Sequence, residues 1–133
     1  MTISPTKQSR EAILAALTAD PDVVALVPRL YPSKTPNKPT KPFGRYGSSD
    51  DRPLRPSGWR GGAVSAAYHV FVGVNSAILD PDSYCSDAVA AVAEALDRLP
   101  GCIVDRTQII PDGEEPDTVH GLVFFTYTEF AEI

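Results

Sequence analysis

The chain has 133 residues, 43% of them hydrophobic, a length and composition that fit one domain around one core. No run approaches the roughly 18 consecutive apolar residues needed to cross a bilayer, and the polar start from Met1 to Arg10 lacks the basic-then-apolar pattern of a secretory leader, so neither is expected. The formal charge of −5 hides a split: from Arg29 to Arg60 eight basic residues face only Asp50 and Asp51, and the rest of the chain is strongly acidic.

In chain order, Ser9, Ala12, Ile13, Ala16 and Leu17 fall on one face at helical spacing and predict a helix from about Thr6 to Ala19, stopped by Asp20-Pro21. Val23, Val24, Leu26 and Val27 predict a short second helical turn, and Leu30 and Tyr31 the start of an extended segment. Seven of the thirteen prolines lie between Pro28 and Pro56. Residues 33–62 therefore read as a long basic loop, partly polyproline-like, with a short strand edge at Phe43, Arg45 and Gly47 and a polar loop from Ser48 to Gly62. The alternation of Tyr68, Val70, Val72 and Val74 with His69, Phe71, Gly73 and Asn75 predicts the main strand, over residues 63–75. Asp80 as cap, Pro81 at the first helical position and Asp82 in the first turn open a second main helix. Its apolar stripe is Ala88, Val89, Val92, Ala93, Leu96 and Leu99, and Pro100-Gly101 ends it. Strands at Cys102–Ile110 and Thr118–Phe130 close the chain around an acidic turn. The expected fold class is α+β: a small, mostly antiparallel sheet with two main helices on one face, in the order α-β-β-α-β-β, forming a single domain over residues 1–133.

Residues with catalytic spacing are scarce. Gly58-Trp59-Arg60-Gly61-Gly62 lacks the Lys-Ser/Thr of a phosphate loop, and no nucleophile elbow occurs. His69, His120, Cys85 and Cys102 have the composition of a zinc site but not its spacing, so structural histidines and buried, reduced thiols are expected instead. Asp112, Glu114, Glu115 and Asp117 read as a solvated hairpin tip before a loose cation site. No cofactor or metal is expected. The interface candidates are Lys34, Lys38, Lys41, Arg45, Arg52, Arg55, Trp59 and Arg60 on the basic loop, with that acidic tip. Two uses remain open for the charge split, a head-to-tail contact between copies and a solvated loop on an acidic protein. Phe43, Tyr46 and Trp59 among the arginines also fit a single-stranded nucleic-acid module, although a pI near 4.9 opposes it.

Three stretches, AILAALTADPDVVALVPRLYP (residues 12–32), YHVFVGVNSAILDPDSYCSDAVAAVAEALDRL (68–99) and the closing two strands (102–130), together resemble the tail terminator, or tail completion, family of long-tailed bacteriophages. The resemblance covers most of the chain, and the proline-rich segment from Ser33 to Gly62 departs from it. It implies a structural virion protein, not an enzyme, built in the host cytoplasm into a ring, commonly a hexamer. The ring caps the tail tube and meets the head-tail connector or stopper protein, and DNA passes through it without sequence-specific binding. Another neck or head-completion protein is the neighbouring alternative.

Overall fold

The computed structural model describes residues 4–54, 59–75, 77–111 and 117–132. Helix α1 spans Pro5–Ala19 and α2 Pro21–Leu26; strands β1 (Arg29–Tyr31), β2 (Phe43–Leu54) and β3 (Trp59–Gly73) precede helix α3 (Pro81–Asp97), and β4 (Cys102–Pro111) and β5 (Thr118–Glu132) follow it. Local chemistry sets these boundaries. The Ser4 side chain accepts the Lys7 N–H ahead of Pro5, starting α1. Asp20 both stops α1 and starts α2, its carboxylate accepting the Asp22 and Val23 N–H groups at 3.0 and 3.2 Å. Asp80 caps α3 through the Ser83 N–H and hydroxyl. Beyond α3, Gly101 adopts φ +85°, where a side chain would be strained and would meet the Thr128 carbonyl.

The strands form one five-stranded sheet in the order β1-β2-β3-β5-β4, antiparallel except for the short β1–β2 pair. The class and the helix-backed antiparallel sheet follow the sequence reading, with one more strand and one more helix than the predicted order held. Helices α1 and α3 cover the same face, and α2 packs on both of them. There, Tyr46, Ala66, Tyr68, Val70, Val72, Val119, Val123, Phe125 and Tyr127 pack against Ile13 and Leu17 of α1, Val23 of α2, and Cys85, Val89, Val92 and Leu96 of α3. Gly121 lets α3 sit close to the sheet, since a Cβ there would press into Val89 and lie 2.8 Å from Cys85 Sγ.

The principal correction concerns residues 48–62. The expected short strand edge and polar loop are instead two long paired strands. After a bulge between Tyr46 and Ser49, β2 pairs with β3 from Ser49↔Ala66 to Leu54↔Gly61. Polar side chains on β2 masked this strand because most of it needs no burial: β1 covers only Phe43 to Arg45, and the remainder is a sheet edge. Pro53 is compatible with such an edge, where a missing N–H costs no ladder bond. Of the expected loop, the described part without strand structure is 33–42; residues 55–58 lie outside the described residues.

Candidate interaction surface on the open sheet face

Directly paired residues share a face of a sheet. One row runs Phe43–Phe71–His120–Ile110 across β2, β3, β5 and β4; the next is Arg45–His69–Leu122–Gln108, followed by Ala67–Phe124–Arg106. These rows point away from the three helices. Most of their apolar members remain half-exposed, whereas the other face is sealed.

The rings on this face are ordered against one another. Phe43 stacks on Phe71 at 4.8 Å between centroids, Phe71 on His120 at 4.3 Å and His120 on His69 at 4.8 Å. Tyr31 closes one end edge-on to Phe43. Arg45 lies over Phe71 at 5.5 Å and Arg106 over Phe124 at 3.9 Å, placing two guanidinium groups on ring faces. His69 Nδ1 and His120 Nε2 are 2.6 Å apart, so one nitrogen donates and the other accepts. Burial, then the charges of Arg45 and His120, push the His69 pKa down to about 4 and keep its ring neutral. Gly47, in the β2 bulge, makes room for this ring: a Cβ there would come within 2.6 Å of His69 Cδ2. Beside the stack, an open groove of about 420 Å³ is lined by Ser48, Ala67, His69, Leu122 and Phe124, with Asp50, Asp105 and Arg106 at its margin.

The predicted interface residues separate into groups. Lys34 and Lys38 are exposed on the 33–42 segment; Lys41 is half-buried and donates to the Thr118 hydroxyl at 2.9 Å, next to the foot of the β4–β5 hairpin. Asp117 is exposed at that foot, where its carbonyl accepts the Val74 N–H. Arg45 joins the ring stack, while Arg52 is exposed far along β2, paired with Ala63. Ala63 lies ten residues from Gly73, the partner of Thr118, so Arg52 and Lys41 are roughly 33 Å apart along the sheet. The basic window is thus divided between two ends of the molecule. Trp59 and Arg60 open β3 opposite Glu132 and Ala131, a strand position where a loop was expected, and their side chains are outside the description. Arg55, Asp112, Glu114 and Glu115 lie outside the described residues, as does any pairing of that acidic tip with Arg55.

The sequence reading missed His69, Phe71, His120, Leu122, Phe124 and Arg106 as one surface. Their signal was present as the alternate positions of the main strand, but the partner strand and its register were not. Cys85 and Cys102 are buried as expected, and burial pushes their thiols up to about 11 and about 12. Among the described residues no three His, Cys, Asp or Glu side chains gather as a metal site.

The protein is thus an α+β sheet backed by helices on one side and presenting rings and guanidinium groups on the other. The chain belongs to the tail completion protein gp17 family, whose model matches residues 11–128, and is a structural protein of the virion tail. Several solved structures share the fold, and two illustrate it. A chain from the virion of a native gene transfer agent particle matches with a TM-score of 0.76 at 19% identity, covering 98% of this chain and 100% of that one. The gp17 protein of bacteriophage SPP1 matches with a TM-score of 0.59 at 18% identity, covering 93% of this chain and 90% of that one. No curated protein sequence matches the chain.

Proposed function

We propose that this protein assembles into a hexameric ring that closes the tail tube and joins it to the head connector, leaving a passage for DNA. Family membership over residues 11–128 carries this reading. The separation of the basic residues between two ends of the sheet supports it. In a ring, the end with Lys41 and Asp117 and the end with Arg52 turn toward different axial partners, the tube protein and the connector. The strong asymmetry of the sequence then orients the ring by steering more than by affinity. Contacts between copies are heterologous, each using two different surfaces, and such contacts close when the rotation permits.

The test is the copy number in the finished particle, read by electron microscopy or by mass, together with deletion of the gene. The expected result is several copies around the tail axis, and heads and tails that accumulate unjoined without the protein. A single copy per particle, or normal joining in the deletion, sinks this reading. A monomer in dilute solution is compatible with it, because the tube end acts as a template.

A further inference from the structure

We infer that the open sheet face receives helix α3 of a second copy, so that each sheet is sandwiched between its own helices and its neighbour's. The inference rests on the ring reading above and names the surfaces that meet in it.

The first argument is the state of the face itself. Phe71, His69, His120, Leu122 and Phe124 stay half-exposed in one contiguous area, and Ile103 at its edge is 67% exposed. A sheet buried on one side, with apolar rings on the other, is one layer short of the three-layer arrangement that would cover it.

The second argument is charge. Arg45, Arg52 and Arg106 stand on this face against Asp50 and Asp105, and Asp105 already accepts the Thr126 hydroxyl at 2.9 Å. On the opposite side of the molecule, α3 has no basic residue in its 17 positions, and its exposed surface carries Asp82, Asp87 and Glu94. Among the described residues no cation pairs with any of these three. Small side chains, Ser83, Ser86 and Ala90, lie between them and let a helix approach a ring-covered surface closely.

The third argument is spacing. Three strand separations and a two-residue offset put Arg45 and Arg106 ~16 Å apart. Asp82 and Glu94, twelve residues apart on α3, are ~18 Å apart along the helix axis. Twelve residues also turn Asp82 ~120° from Glu94 about the axis, so the two carboxylates flank the stripe of Ser86 and Ala90, and the two arginines reach them from either side while the small residues lie over the rings.

Nucleic acid is the competing occupant of an aromatic, arginine-bearing sheet. Stacking of bases needs free ring faces. Here the faces of Phe71 and His120 are taken by each other, and Phe43, His69 and Arg45 cover more of that stack. The geometry favours a protein surface.

Assembled particles carrying Gln108→Cys on the open face and Ala90→Cys on α3, in one chain, provide the test with a short bismaleimide. The native thiols are buried and stay inert. A ladder of crosslinked copies up to the ring number is expected, with monomer only from either single variant. Ser65→Cys replaces Gln108→Cys if the latter chain is not incorporated. A particle with several copies but no ladder from either pair overturns the inference and leaves the ring reading standing; a single copy per particle removes both. Arg45→Glu with Arg106→Glu should lower incorporation roughly tenfold, and adding Asp82→Arg and Glu94→Arg to the same chain should recover it. Crosslinking of the open face to a different protein, or single-stranded DNA binding that Arg106→Glu abolishes, also overturns the inference.

Discussion

His69 and His120, 51 residues apart in sequence, share a hydrogen bond of 2.6 Å between Nδ1 and Nε2 on the side of the sheet that no helix covers. The bond holds one proton between the two nitrogens and has no room for a second, since both nitrogens would then be donors. His69 is held neutral down to about pH 4, against 6.5 for a free histidine. A depressed histidine pKa means that the unfolded chain binds the proton first. The contribution to stability is therefore complete above about pH 6.5 and is lost as pH falls from there toward 4. Thermal midpoints measured between pH 7.5 and pH 4.5 should fall with pH, and His69→Gln should flatten that slope. An unchanged slope in the variant would assign the acid sensitivity elsewhere.

Gly121 faces α3 from the middle of β5. Gly121→Ala places a methyl group against Val89 and Cys85, and overpacking of this kind costs about 1–3 kcal/mol. Val89→Ala removes one of the opposing methyls, so the double variant should be less destabilised than the sum of the two single changes. Denaturant midpoints give all three values; strict additivity would mean that the helix moves aside freely.

Ser9 and Tyr46 meet at 3.0 Å between α1 and β2, Ser9 fully buried and Tyr46 nearly so. Ser9→Ala leaves the phenol hydroxyl buried without this partner and should cost about 1–3 kcal/mol. Tyr46→Phe should cost about 1 kcal/mol, and the double variant should lie closer to the native protein than additivity predicts. Equilibrium unfolding of the four proteins in the cycle measures this coupling, and a coupling of zero would remove the hydrogen bond from the account.

Asp20 has two partners of different worth. Its carboxyl is held below the ordinary range first by the Val23 N–H, then with help from Arg98 and the Asp22 N–H. Arg98, which forms an ion pair with it, is 63% exposed. Asp20→Ala should cost about 1 kcal/mol through the lost cap, whereas Arg98→Ala should change stability by about 0–1 kcal/mol. Equal losses in thermal unfolding would mean that the ion pair matters as much as the cap.

The sequence by itself determined the helices, the Asp80 cap and the strands that carry apolar alternation. Asp-Pro breaks, a Pro-Gly stop and one-sided stripes act over a few residues, and no distant partner is needed to read them. It also carried the α+β class and a family resemblance spread over three stretches. Tertiary structure decided the course of residues 48–62, because Ser48, Asp50 and Arg52 occupy a strand whose pairing comes from β3 and whose edge needs no apolar face. It also decided which side of the sheet is open, and that His69, Phe71, His120 and Phe124 meet there. A two-residue period shows that a strand has two faces, but the face that is covered depends on where the helices dock. Whether His69 reaches His120 depends on the register of β3 with β5, which is set by pairing along fifteen positions and not by any one of them.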